Sequence, residues 1–172
     1  MPTRTSRTSA RLALRPELAP LEFLRAARSP AGFALTAFVI AVLRTNTRLI
    51  TAGDDLTRDL NLSSARWQVI STLRDANLTV AAIARILGYS RQGVQTLINA
   101  LIADGLVKPL DNPHNRRVKL MQMTRRGHAA DREALNRQAG WVERIANGIP
   151  PEKIDVAAEM LWTLHDRLTA DT

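Results

Sequence analysis

The chain has 172 residues, enough for one domain with a hydrophobic core and some appended elements. Aromatic residues are only 4% against 45% hydrophobic, with Ala and Leu abundant, a balance that favours helix over sheet. The absence of cysteine excludes disulfides, thiolate nucleophiles, thiol redox switches and cysteine-based zinc or iron–sulfur sites, and the net charge of +8 makes a polyanion the leading class of partner.

That charge is polarised along the chain. Residues 1–28 hold six Arg against two Glu, residues 29–65 balance at zero, 66–104 contribute +2, and 105–127 contribute +5, whereas 128–172 carry −3. A basic middle and basic N-terminal arm beside an acidic C-terminal segment point to nucleic acid first and to an anionic membrane second. The Arg-rich start superficially resembles a targeting sequence. However, the apolar run Ala31 to Leu43 is shorter than the ~20 residues of a bilayer span, and Arg44 and Arg48 follow where small neutral residues belong. Residues 1–28 are expected to be a mobile arm, with Pro16 and Pro20 discouraging an early helix. No membrane association is expected, and a reducing cytoplasm is the expected compartment.

Ser29 followed by Pro30 reads as an N-cap and first helical residue, opening a helix that runs to about Leu60. Phe33, Phe38, Val42, Leu49, Leu56 and Leu60 keep helical spacing, and the stretch from 31 to 43 is apolar nearly all round, which favours a subunit interface over a single core face. Next, "LSSARWQVISTL" supplies a Ser63 or Ser64 cap with apolar Trp67, Ile70 and Leu73. "TVAAIARILGYS" starts at a Thr79 cap and stops at Gly88, and Ser90 caps "RQGVQTLINALIADG", ended by Gly105. The short gap between the last two is helix-turn-helix spacing.

After Gly105, "LVKPL", a turn "DNPHN" and "RRVKLMQM" read as a two-stranded hairpin, in which Pro109 requires an edge strand. Thr124 then caps a helix from about Arg125 to Asn147. Gly148-Ile149-Pro150 breaks it, and a last helix presents Ile154, Ala157, Leu161, Leu164 and Leu168 as an apolar seam. The fold class is mainly α with a small β-hairpin wing. The division is an arm (1–28), a long dimerisation helix (29–60), a winged helix-turn-helix DNA-binding domain (61–124) and C-terminal dimerisation helices (125–172).

The stretches "LNLSSARWQVISTL", "VAAIARILGYSRQGVQTLINALIADGLV" and "DNPHNRRVKLMQMTRRG" resemble the MarR family of transcriptional regulators, from about Leu60 to Gly127. The resemblance implies a homodimer whose terminal helices interlock, with one helix of each subunit in the major groove of double-stranded DNA and one wing near the minor groove. Arg117 matches the family's characteristic wing arginine, while Asn115 stands where the family commonly has Asp, which puts the usual wing ion pair in doubt. Relatives often respond to small aromatic or anionic ligands, and by that analogy Arg44, Thr47, Arg48 and Trp67 are the candidates to line a pocket.

The residues lead to the same place on their own chemistry. In the helix after Ser90 the apolar set faces the core, leaving Ser90, Arg91, Gln92, Gln95 and Asn99 toward solvent and Thr96 at the boundary. Arg pairs with guanine O6/N7, and Gln or Asn pairs with adenine N6/N7. On an isolated helix such residues would merely face water, but the adjacent turn and wing favour base reading. In the wing, Lys108, His114, Asn115, Arg116, Arg117 and Lys119 are the DNA-contact candidates, since exposed cations gain from the negative potential of a narrow minor groove. Gly93 is expected to permit close packing on the preceding helix or on a phosphate.

His114, His128 and His165 lack partners at ligand spacing, so no metal or other cofactor is expected. His165 is expected to pack beside Leu161 and Leu168. Gly88 and Gly93 have the internal spacing of a phosphate-binding loop, but Val94-Gln95 stands where Lys and Ser/Thr are required. With no other catalytic motif, an enzyme is not expected. The favoured function is a sequence-specific regulator, most simply a repressor, binding a pseudo-palindromic operator. Its rivals are a nonspecific architectural DNA binder and a winged-helix protein-interaction module.

Overall fold

The computed structural model describes residues 28–170, so the expected arm falls almost wholly outside them. The chain divides into two compact units that meet between Ala65 and Arg66.

The first unit is dominated by α1 (Pro30–Thr57). The Ser29 hydroxyl accepts from the Gly32 amide at 3.1 Å, and Pro30 takes the first helical position, where its missing N–H is no loss. A 3-10 turn (Arg58–Leu60) follows, and Asn61 reverses the chain in the left-handed region at φ 55°. The buried Thr57 hydroxyl lies 2.8 Å from the Gly53 carbonyl and 2.5 Å from that of Leu62, fastening this reversal to the helix. Asp54 accepts from the Ser64 amide at 2.6 Å, so its negative charge sits at the start of the next helix, where the helix dipole favours it. Gly53 is required by close approach: a Cβ there would lie 2.8 Å from Ser64 Oγ.

Pro30–Leu60 is long and apolar enough, by length and composition, to cross a membrane, with a mean hydropathy of 1.4 in its most apolar window. Leu35, Leu43, Leu49 and Ile50 are exposed along it.

The second unit follows α2 (Ser64–Ser71), which spans the boundary, and contains α3 (Val80–Leu87), α4 (Arg91–Ala103), β1 (Val107–Leu110), β2 (Leu120–Met123), α5 (Arg125–Ala146) and α6 (Pro151–Ala170). The caps expected at Thr79, Ser90 and Thr124 are in place. Thr79 Oγ1 accepts from Ala82 at 3.2 Å, Ser90 Oγ from Gly93 at 3.0 Å and Thr124 Oγ1 from Gly127 at 3.0 Å. Such caps contribute about 1 kcal/mol each. Gly88 and Gly105 end α3 and α4 at φ 66° and 68°, a region that costs other residues more.

Val69, Ile70, Ile83, Val94, Ile98, Leu101, Leu106, Val107, Met121 and Met123 are buried. Full burial of aliphatic side chains of this size contributes roughly 1.5–3 kcal/mol apiece before the entropy of ordering them. The strands pair antiparallel with Val107 opposite Met123 and Leu110 opposite Leu120. On its other side β2 exchanges hydrogen bonds with Leu78, Met121 N–H donating at 2.7 Å and Leu78 N–H at 3.3 Å. Pro109 therefore lies on the outer strand of the hairpin, where its missing N–H is tolerated.

The second strand begins later than the sequence pattern predicts. Arg116, Arg117, Val118 and Lys119 belong to the turn, because residues 112–118 fold into successive tight turns instead of extending. Every residue of α6 is exposed except half-buried Leu164, so the predicted seam is a surface of this chain.

Candidate nucleic-acid interface

The α3–turn–α4 unit is held from behind by bonds that the sequence does not advertise. Arg66 on α2 pairs with Asp104 just beyond α4 and also donates to the Ala100 carbonyl at 3.4 Å, tying down the C-terminal end of α4. At the other end, the Tyr89 hydroxyl donates to Gln68 Oε1 at 2.8 Å and links the turn to α2. The pitch of α4 then sorts its residues: Val94, Ile98 and Leu101 are buried, while Arg91, Gln92, Gln95, Thr96 and Asn99 are exposed.

Within this exposed face the side chains are partly organised. Ser90 serves as the cap, Thr96 donates to the Gln92 carbonyl at 3.1 Å, and Gln95 Nε2 donates to Asn99 Oδ1 at 2.8 Å. Gly93 is explained by the cap itself rather than by a neighbouring helix: the nearest atom to a Cβ placed there is Ser90 Oγ, at 3.0 Å.

The hairpin carries Lys108, His114, Asn115, Arg116, Arg117 and Lys119, all exposed. Its tip is shaped by two asparagines: Asn112 Oδ1 accepts from the His114 amide and Asn115 Oδ1 from the Arg117 amide, each at 3.0 Å. Asn115 thus organises the backbone at Arg117. Lys119 is bonded to Asp111, so part of the expected cationic surface braces the hairpin. That bond, reinforced by the ammonium charge, holds the Asp111 carboxyl below its ordinary range.

The root of the wing is joined to α5 through one hydroxyl. Thr124 Oγ1 donates to the Gly105 carbonyl at 2.7 Å while capping Gly127, and the Thr124 amide donates to the Leu106 carbonyl at 3.0 Å. Gly127 approaches that backbone so closely that a Cβ would collide with the Leu106 carbonyl. One turn further on, the buried Asp131 accepts from Trp67 Nε1 at 3.0 Å and from Arg74 Nε and Nη2 at 2.6 and 2.9 Å. This bracket ties α2 and the segment after it to α5, and the carboxylate raises the pKa of Arg74.

Two helices braced from behind and followed by a basic hairpin have counterparts among known proteins. The family model described as MarR family matches residues 60–118. An uncharacterised protein of Mycobacterium tuberculosis is 32% identical over 109 residues, covering 63% of this chain and 76% of its own length. The chain belongs to the MarR family.

Solved structures of transcriptional regulators share its winged helix-turn-helix fold. The regulator BldR from Sulfolobus solfataricus superposes with a TM-score of 0.72 at 16% identity, covering 81% of this chain and 99% of that one. The repressor CouR bound to a 23-mer DNA duplex gives 0.67 at 23%, covering 73% and 89%. CouR from Rhodococcus jostii RHA1 bound to p-coumaroyl-CoA gives 0.63 at 20%, covering 79% and 92%.

The remaining predicted positions of this MarR-family chain fall in several places. Arg44, Thr47 and Arg48 are exposed on α1, with the Thr47 hydroxyl donating to the Leu43 carbonyl at 3.3 Å. Trp67 is half-buried, its indole N–H committed to Asp131. His165 faces Trp162 edge-on at 5.5 Å and lies 3.2 Å from Asp166. Sequence reasoning missed Arg66, Gln68, Tyr89, Asp104 and Asp131, whose partners lie far along the chain; i,i+4 spacing alone signals the Gln95–Asn99 pair.

Proposed function

We propose that this protein is a homodimeric transcriptional regulator, a repressor wherever its site overlaps a promoter, that binds a pseudo-palindromic operator in double-stranded DNA. Half-sites about one helical turn apart, ~10 bp, suit a two-fold pair of such lobes. The observation that carries the reading is the exposed polar face of α4 beside a hairpin of exposed cations in one braced lobe. Ser90, Arg91, Gln92, Gln95, Thr96 and Asn99 read or approach base edges, while Lys108, His114, Asn115, Arg116, Arg117 and Lys119 position the wing on the backbone and minor groove. Membership of the MarR family and the DNA-bound CouR structure support this assignment.

Pairing is supported by exposed apolar residues that a lone protomer would leave in water: Leu35, Leu43, Leu49 and Ile50 on α1, and Ile154, Val156, Met160, Leu161, Trp162 and Leu168 on α6. Residues 29–60 and 125–172 are accordingly the dimerisation regions. That reading accounts for the apolar length of α1 without a membrane, and places a non-catalytic regulator in the cytoplasm. A small aromatic or anionic effector releases the DNA; the CouR complex with p-coumaroyl-CoA supports this part.

Gel-shift titrations against duplexes selected from a random pool test the proposal. Arg91→Ala relaxes sequence preference, whereas Arg117→Ala weakens binding to all duplexes alike. Unchanged binding in both variants, or solitary protomers in sedimentation with and without duplex, overturns it.

A further inference from the structure

The amide pair on the exposed face of α4 goes beyond a general list of base contacts. Gln95 and Asn99 are four residues apart, both exposed, and Gln95 Nε2 donates to Asn99 Oδ1 at 2.8 Å. A primary amide offers two N–H donors and a carbonyl oxygen with two acceptor sites. The pair uses one donor of Gln95 and one acceptor site of Asn99. Gln95 keeps its carbonyl oxygen and its second N–H, the two groups that meet adenine N6 and N7 together in the major groove. A free glutamine must freeze three side-chain torsions to make that contact, so a neighbour that already holds its amide removes part of the entropic penalty.

The other polar groups on this face do not form an equivalent unit. The Thr96 hydroxyl is turned back to the Gln92 carbonyl at 3.1 Å, and Ser90 Oγ caps Gly93 at 3.0 Å.

We infer that Gln95 and Asn99 act as one composite reader of an adenine in each half-site, Gln95 making the two-point base contact and Asn99 serving as the positioning residue that fixes its amide. This rests on the DNA-binding assignment above and specifies which base that surface selects.

The test uses the full chain and the duplex recovered by selection from a random pool, together with variants in which each A·T pair of a half-site is replaced in turn by G·C. Wild type, Gln95→Ala, Asn99→Ala, Asn99→Asp and the double alanine variant are compared by competition binding, with circular dichroism confirming that each folds. Gln95→Ala loses discrimination at one A·T pair, by roughly 5- to 150-fold, the range of one good bidentate contact. Asn99→Ala weakens discrimination at that same pair, and the double variant discriminates no worse than Gln95→Ala alone. Asn99→Asp keeps the acceptor that holds Gln95, so it retains the preference while its added charge lowers affinity for every duplex.

Loss of preference at two different base pairs, additive in the double variant, overturns the composite reader while leaving DNA binding intact. So does an Asn99→Ala protein with unaltered preference. Failure of the wild type to bind any duplex in preference to bulk DNA overturns the functional assignment itself.

Discussion

Replacing Asp131 by alanine tests the bracket between α2 and α5. The carboxylate is 4% exposed and accepts from Trp67 Nε1 and from two nitrogens of Arg74, at 2.6–3.0 Å. Removing it leaves the half-buried indole N–H without its acceptor and strips the partner from a cation. Hydrogen bonds to charged groups contribute about 1.5–3 kcal/mol, and breaking a fully buried pair from one side costs about 3–5 kcal/mol. The Arg74 side chain is 36% exposed and can rehydrate, which moves the expectation to the lower part of that span, about 2–3 kcal/mol. Urea unfolding of wild type and Asp131→Ala, followed by far-ultraviolet circular dichroism, measures it as a fall in midpoint at unchanged slope. Arg74→Ala and the double variant close the cycle; because the two groups share one bond network, their losses are expected to be strongly non-additive. A loss below about 1 kcal/mol in Asp131→Ala, or simple additivity, would refute the reasoning.

Two further predictions concern the wing and its root. Gly127→Ala sets a Cβ against the Leu106 carbonyl, with the carbonyl carbon at 3.1 Å and Met123 Cγ at 3.2 Å, and only backbone movement relieves the clash. A loss of about 2–3 kcal/mol is expected by denaturant titration, and a neutral result would contradict the close approach. At the tip, Asp111→Asn releases Lys119, so DNA binding strengthens and the slope of log affinity against log salt steepens by about one phosphate equivalent, ~0.9. An unchanged slope would show that Lys119 does not reach the backbone.

The same pair sets a pH dependence. Because the Asp111 carboxyl is lowered by its bond to Lys119, the contribution to wing order is fully present above the ordinary carboxylate value and fades as pH falls through the lowered one. An NMR titration of the side-chain carboxyl should show the lowered midpoint, and Lys119→Ala should return it to the ordinary range.

The sequence exposed those features whose causes are local. Ser29-Pro30, Thr79, Ser90 and Thr124 cap helices in the structure because a hydroxyl needs only an amide three residues on, and Gly88 and Gly105 end helices because only their own backbone must turn left-handed. The second strand was placed too early for an equally local reason. "RRVKL" has the composition of a strand, but the Asn112 and Asn115 side chains capture nearby amides and keep the chain turning until Leu120.

What lay beyond the sequence is what depends on folding. Asp131 looks like any acid on an Arg-rich helix, and nothing nearby reveals that its partners are Trp67 and Arg74, 64 and 57 residues away. The same holds for Arg66 and Asp104, which join α2 to the end of α4 across 38 residues. The candidate face of α4 could be read from periodicity and its amide pair suspected from i,i+4 spacing, but which amide donates, Gln95 Nε2 to Asn99 Oδ1, required atomic positions.

The returning strand is anchored at its root to the start of α5, and residues 111–119 are held by their own tight turns and by the Asp111–Lys119 pair. A change of length or charge between Asp111 and Lys119 therefore leaves the strand register and the helix cap beneath it in place.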